Sequence, residues 1–307
     1  MVFTFIDIFS GIGGFHLGCI KNNGICLEAC DIDPIARQIY KLNYNIQPHN
    51  DIKTLKYITN IDLLCGGFPC QPVSTIGLRK GSNDDRGLEI FKCLLKYIKN
   101  SKPKSLLLEN VSGLLSIENG KYFRFIIESL QNIGYNISWQ ILNSKNFGLP
   151  QNRPRVYIIG NLEKTFDFTQ LLQINNHTTI KSILDKYPSE ILYQNRFNNN
   201  ILNPPLKLKS GFILRGKISN YTNMKLFSSD GIVGTLATTC PPDIYDERIK
   251  IERHLSKVEL LKLQGFPIKF KFPPNFSRTN YVHYLGNAVS VNVINSIIKE
   301  MILQKLL

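Results

Sequence analysis

Over the first 160 residues, short β-like runs alternate with helical patterns. Parallel strands need a crossover long enough to hold a helix, so this alternation points to βαβ units on a largely parallel sheet. Strands are expected at Phe3–Ile8, Ile25–Cys30, Ile61–Cys65, Ser105–Leu108, Ile137–Leu142 and Val156–Gly160. Helical spacing lies between them at Pro34–Leu42, Leu88–Ile98 and Tyr122–Asn132. From about 165 to 250 the chain is dense in Asn, Pro, Ser and Gly, with β-like pieces at Gly211–Leu214 and Thr235–Thr238 and no helical period. Helical patterning returns at Ser256–Gln264 and Ala288–Leu306. The expected fold is α/β: a doubly wound, mostly parallel sheet in residues 1–165, a smaller irregular domain in 166–250, and a segment 251–307 returning to the first domain.

Composition narrows the partners. Hydrophobic residues make up 43% of the 307 and charged residues 20%, values that support a packed core and exclude disorder as the default. No apolar run approaches the ~18 residues a membrane span needs. The apolar start, Met1 to Phe9, has no basic flank and runs into glycines, so it reads as a first strand and not a signal peptide. Lys and Arg total 37 against 23 Asp and Glu, a formal charge of +14 that attracts polyanions, nucleic acid foremost. The richness in Lys, Asn and Ile also fits an AT-rich genome, with some of that excess as solvated surface. The seven cysteines, at 19, 26, 30, 65, 70, 93 and 240, form no CxxC and no Cys/His cluster with zinc spacing. A reducing cytoplasm and no metal are expected, with Cys19, Cys26, Cys65 and Cys93 as buried filler.

Phe3–Ile8 runs into Phe9-Ser10-Gly11-Ile12-Gly13-Gly14, a glycine-rich turn ahead of a helix. Glycine lets backbone amides approach a ligand closely, although such turns also serve as plain connections. Asp31 ends the next strand, where nucleotide-binding sheets place an acceptor for ribose hydroxyls. Asp51, before Ile52, falls where a third strand would end and could hold an adenine amino group. Either Asp31 or Asp33 could instead cap the helix beginning at Pro34, and for Asp33 capping is the reading.

The strand Ile61–Cys65 leads into Gly66-Gly67-Phe68-Pro69-Cys70-Gln71-Pro72-Val73-Ser74. A cysteine among Gly and Pro at the carboxyl end of a parallel strand sits where α/β sheets place their chemistry, and a thiolate is a strong nucleophile. On a neighbouring strand, Leu106-Leu107-Leu108 delivers Glu109 to the same edge, as a catalytic acid or as a carboxylate capping the following turn. An unpaired acid there is desolvated and tends to hold its proton. Gln151-Asn152-Arg153-Pro154-Arg155 carries two arginines two residues apart, on one face if extended, which suits phosphate or carboxylate.

Six ordered motifs then coincide with those of the bacterial C5-cytosine DNA methyltransferases, which the chain resembles throughout except over about 165–250. They are Asp7-Ile8-Phe9-Ser10-Gly11-Ile12-Gly13-Gly14, Gly67-Phe68-Pro69-Cys70-Gln71-Pro72, Glu109-Asn110-Val111, Gln151-Asn152-Arg153-Pro154-Arg155, Leu263-Gln264-Gly265-Phe266-Pro267 and Gly286-Asn287-Ala288-Val289. The resemblance implies a Rossmann-like fold that transfers a methyl group from S-adenosylmethionine to C5 of a flipped-out cytosine in a short duplex site. Cys70 would add to C6, Glu109 would hold N3 and the exocyclic amine, Arg155 the ring carbonyl oxygen, and Arg153 would support it or a phosphate. The cofactor would lie against Phe9, Gly11, Ile12, Gly13, Gly14, Asp31, Ile32, Asp51, Ile52, Gly67, Pro69, Asn287, Ala288 and Val289. A loop from Ser74 to Arg86, with Gln71, Ser74, Arg79, Lys80 and Arg86, would fold over the DNA. Residues 166–250 would read the target. The resemblance further implies a monomer and a restriction endonuclease acting on the same site. Asp31 departs from the family, which more often has Glu there.

A tRNA cytosine methyltransferase shares the Pro-Cys-Gln and Glu-Asn-Val motifs, but the Cys-Phe-Thr tripeptide of that branch is absent. A nicotinamide-dependent dehydrogenase would leave Cys70, Glu109 and the arginines without a role. A silent nucleic-acid-binding relative is not favoured, since Cys70 and Glu109 are both in place.

Overall fold

The structure, a computed structural model, describes residues 1–69, 86–174, 178–186, 201–217, 225–239 and 241–307. Two compact units share them: one holds Met1–Leu142, Pro154–Leu172 and Val293–Leu307, the other Asn143–Arg153 and Gln173–Asn292.

The first unit is built on β1 (Phe3–Ile8), β2 (Gly24–Cys30), β3 (Leu63–Gly66), β4 (Ser105–Val111), β5 (Asn136–Asn143) and β6 (Pro154–Asn161), in the order β2-β1-β3-β4-β6-β5. The pairs β1–β2, β1–β3 and β3–β4 are parallel, and β6 runs antiparallel to β4. The mixed α/β architecture with a largely parallel sheet is thus the one the alternating pattern implies. From β1 the chain goes outward to β2, then returns to β3 on β1's other side. The carboxyl ends of β1 and β3 therefore form a topological switch point, where such sheets bind ligands.

Helices α1 (Gly14–Ile20), α2 (Pro34–Tyr44), α3 (Arg86–Ser101) and α4 (Lys121–Asn132) lie between the strands. In α4, Phe123, Ile126 and Leu130 recur at helical spacing and are buried. They join Phe91, Leu94, Leu64, Leu106, Leu108 and Ile158 in one core, each such side chain contributing about 1.5–3 kcal/mol. Asp33 caps α2 as expected, accepting from the amides of Ile35 and Ala36. The C-terminus is tied to the sheet by the carbonyl of Leu306, which accepts from Ser105 Oγ at 2.8 Å and Asn161 Nδ2 at 3.2 Å.

The second unit carries β7 (Leu206–Lys207), β8 (Ile213–Lys217), β9 (Lys225–Ser228), β10 (Asp243–Asp246) and β11 (Ile251–His254) in the order β11-β10-β9-β8-β7. Of these, β9–β10 is parallel and the other pairs are antiparallel. Helices α5 (Lys257–Gln264) and α6 (Arg278–Asn287) follow in this unit, and α7 (Val291–Leu303) belongs from Val293 onward to the first unit. Ser256 and Glu259 form a capping box at the start of α5. Glu259 and Asp246 also sandwich the buried Arg253 at 2.8 and 3.0 Å.

Three local expectations are corrected. Thr235–Thr238 forms no strand: the amide of Leu236 is taken by Gln151 Oε1 (2.8 Å) and Thr235 Oγ1 donates to the Asn152 carbonyl (2.8 Å), so side chains replace a ladder. The last helix starts at Val291, because Ala288 is the extended cap that ends α6. No strand ends at Asp51; the chain makes only an isolated bridge, His49 to Cys30, before turning. Among the described cysteines, Cys19, Cys30 and Cys65 are buried, while Cys26 and Cys93 are half-buried. Among the described residues no helix is long and apolar enough to cross a membrane, and no group of His, Cys, Asp or Glu could hold a metal ion.

Candidate active site

At the end of β1 the chain turns sharply through Phe9, Gly11 and Gly13, with φ of 57°, 51° and 85°. For Phe9 this left-handed conformation costs about 1–2 kcal/mol, and the ring packs against the sheet's core. Gly13 admits no side chain, since a Cβ would lie 2.2 Å from the Tyr44 ring. The Tyr44 hydroxyl contacts the Gly13 carbonyl at 2.9 Å and that of Ile12 at 3.2 Å, holding the turn from beneath. Deeper still lies Asp7, fully buried, contacted by the Tyr40 hydroxyl at 3.4 Å; burial pushes its carboxyl up. Sequence reasoning assigned no role to Tyr40 or Tyr44, which carry no motif of their own.

Asp31 is the organising acceptor of the turn. Its Oδ2 accepts from the Gly11 amide at 2.7 Å and its Oδ1 from the Asp33 amide at 2.8 Å. The Gly13 amide is likewise engaged, by the Ser10 carbonyl at 2.8 Å. These two amides, expected to face a ligand, are thus satisfied within the protein. What the site offers outward is a fixed carboxylate, each oxygen with a lone pair left for a hydroxyl. Burial pushes the Asp31 carboxyl up, against the opposing pull of the Asp33 and Gly11 amides. Ile32 beside it is 75% exposed, Phe9 is half-buried, and a Cβ at Gly11 would meet nothing within 4 Å. An aromatic face, an apolar ledge, a diol acceptor and open space fit an adenosine-bearing donor. Ile12, Gly14 and Ile52 are buried, and Asp51 accepts from the Lys53 amide at 2.9 Å.

Asp31→Ala is expected to weaken S-adenosylmethionine binding about ten- to a hundredfold while the protein stays folded, the cost of a charged hydrogen bond. In the native protein the same affinity should fall on acidification, starting above the usual aspartate range, because the upward shift brings protonation sooner. Calorimetric titration checks both, and an affinity indifferent to the substitution removes Asp31 from the site.

At the neighbouring carboxyl end of β3, Gly66 packs so closely on β1 that a Cβ would lie 2.3 Å from the Ile8 carbonyl oxygen. Phe68 is buried against Phe91, ring centroids 5.6 Å apart, and its carbonyl accepts from Asn110 Nδ2 at 2.9 Å. Pro69 is exposed. Cys70, Gln71, Ser74, Arg79 and Lys80 lie outside the described residues, and Arg86 opens α3. Asn110 was not singled out from the sequence; its place inside Glu109-Asn110-Val111 was the available signal.

Glu109 stands at the end of β4, mostly buried, its Oε2 3.5 Å from where a Cβ on Gly67 would be. The antiparallel register sets Arg155 opposite Val111, diagonal to Glu109 on the same face, within reach of a long side chain. Arg155 Nε meets Glu109 Oε1 at 3.3 Å. The acid is therefore paired, which the sequence alone did not indicate. The fixed carboxylate and guanidinium beside Gly67 can together meet the polar edge of a planar heterocycle.

Arg153 behaves differently. It precedes β6, belongs to the second unit, and is 3% exposed, with Nη1 donating to the Leu236 carbonyl and Nη2 to those of Gly286 and Ala288. In the same unit Asn287 is exposed while Ala288 and Val289 are buried.

Residues 3–303 match the family model described as C-5 cytosine-specific DNA methylase. The chain belongs to this family. Relatives of this methylase include the type II methyltransferase M.BsuFI of Bacillus subtilis, 33% identical over 97% of the chain and 72% of the relative. The type II methyltransferase M.HaeII of Haemophilus aegyptius is also 33% identical, over 97% and 92%. The fold is shared with the Dnmt2 methyltransferase of S. pombe, TM-score 0.74 at 23% identity, covering 99% of both chains. A putative prophage DNA modification methyltransferase of E. coli aligns at TM-score 0.71 and 19% identity over 99% of both chains. The enzyme is a DNA cytosine-5 methyltransferase, as its motifs implied.

Proposed function

We propose that this methylase is the modification half of a type II restriction–modification pair, working as a monomer through a Cys70 adduct on a flipped-out cytosine. The observation that carries the chemistry of this reading is the Glu109–Arg155 pair beside Gly67, three residues before Cys70, and the type II relatives support the restriction–modification role. S-adenosylmethionine supplies an electrophilic methyl group when bound. Asp31 orients the ribose, Phe9 and Ile32 flank the adenine, and the family resemblance gives Asn287, Ala288 and Val289 a donor-binding role as well. A cytosine within a duplex is closed to attack from above its ring, so it leaves the stack at a cost of a few kcal/mol. Cys70 then adds to C6. The Glu109 carboxyl shares a proton with N3 and accepts from the exocyclic amine, and Arg155 donates to the carbonyl oxygen, so negative charge pushed into the ring meets a proton and a guanidinium. C5 becomes the carbon nucleophile and takes the methyl group, S-adenosylhomocysteine being the leaving thioether; a base removes the C5 proton and Cys70 departs as its thiolate. Gln71, Ser74, Arg79, Lys80 and Arg86 contact the DNA, and residues 166–250 read the sequence.

Labelled methyl groups should enter duplex DNA at one short site and not tRNA. Bisulfite sequencing should show the site move when residues 166–250 are exchanged for those of a relative. Label in tRNA would favour the alternative substrate of this architecture; an active chimera keeping the original site would take recognition away from 166–250.

A further inference from the structure

We propose that Arg153 is a positioning residue that clasps the turn after α6 in its donor-binding shape and touches neither base nor phosphate. The inference rests on the reading of Asn287–Val289 as a donor-side turn. A helix leaves its last carbonyls without intrahelical partners and carries partial negative charge at that end. At the end of α6 no glycine closes the helix; the cap is Ala288, with extended backbone at φ −70° and ψ 151°. Two buried side chains take over instead. Arg153 Nη2 donates to the Gly286 carbonyl at 3.0 Å and the Ala288 carbonyl at 2.9 Å, bracketing Asn287. Gln264 Nε2 donates to the Leu285 carbonyl at 2.7 Å, and its Oε1 accepts from Ser290 Oγ at 3.3 Å.

The same clasp reaches back to the Thr235-Leu236 segment. Arg153 Nη1 donates to the Leu236 carbonyl at 3.2 Å, while Gln151 Oε1 accepts from the Leu236 amide at 2.8 Å. Gln151 Nε2 completes the knot on Gln264 Oε1 at 3.3 Å. A Cβ on Gly286 would lie 2.9 Å from backbone atoms of Ala237 and Thr238, so the turn is pressed onto that segment with no slack. A guanidinium at 3% exposure, committed to three carbonyls, has little surface left with which to meet a polyanion. The planar fork is what serves three acceptors at once; an ammonium is a point charge.

The test separates donor from DNA. Arg153→Lys keeps the charge but loses the fork, so calorimetry without DNA should show donor affinity about tenfold weaker. Affinity for duplex alone should stay within twofold, with an unchanged salt slope. Gln264→Met, which removes the second cap and no charge, should reproduce the donor-specific loss and serves if Arg153→Lys fails to fold. Donor affinity within twofold of native in both variants overturns the clasp. A salt slope lower by about one in Arg153→Lys would mark a phosphate contact instead. Asn287→Ala separates the two readings: if it weakens the donor while both clasp variants do not, the clasp fails; if it too has no effect, the donor-side reading of the turn fails.

Discussion

Duplex DNA carrying 5-fluorocytosine at the target position is expected to trap this methylase in a covalent, denaturant-resistant complex, and only with S-adenosylmethionine present. Once Cys70 has added to C6 and C5 is methylated, the adduct collapses only by losing the C5 substituent as a cation. A proton leaves in that way and fluorine does not. Cys70→Ser should abolish the complex, since a hydroxyl without a strong base is a poor nucleophile near neutral pH. Cys65 provides the control. It is fully buried in β3, its Sγ donates to the Ile6 carbonyl at 3.4 Å, and burial pushes its thiol up, so no thiolate is available there. Cys65→Ala should leave trapping intact. Gel electrophoresis after denaturation reads the result; an adduct that survives Cys70→Ser would sink the nucleophile and most of the mechanism.

The parts that could be read from the sequence are those governed by local pattern. Leu106-Leu107-Leu108 is apolar on both faces because β4 lies inside the sheet, and each expected strand of the first unit has its ends within three residues of the observed ones. Asp33-Pro34 marks a helix start through a side-chain acceptor and a fixed φ, both local. Pairings across the fold were not legible. That Arg155 reaches Glu109 follows from the antiparallel register of β4 and β6, which neither segment encodes alone. That Arg153 turns to carbonyls at 236, 286 and 288 depends on where two distant segments pack. Asp51 was misplaced because one bridged residue, His49, looks like a strand end in a linear reading. Helix α6 was missed since Arg278-Thr279-Asn280-Tyr281 shows weak apolar periodicity, and Ser277, which caps it through the Asn280 amide, was its clearest mark.

Glu109 and Arg155 are expected to act as one unit, and their coupling is the second large effect. Glu109→Gln keeps the shape but loses the proton-sharing carboxyl, so single-turnover methyl transfer should slow by about 10²–10⁴-fold, the span of acid–base contributions. Arg155→Met should also slow transfer and leaves Glu109 without its 3.3 Å partner, a mostly buried carboxylate deprived of its counter-charge. If the two groups hold one ring edge jointly, the double variant should be little slower than the worse single, because the second loss removes an interaction already spoiled. Donor affinity, which the proposed site assigns to Asp31 at the end of β2, should be unchanged in all three. Multiplicative losses would mean that Arg155 meets the base without Glu109. A fall in donor affinity would mean that the pair supports the cofactor turn and not the cytosine.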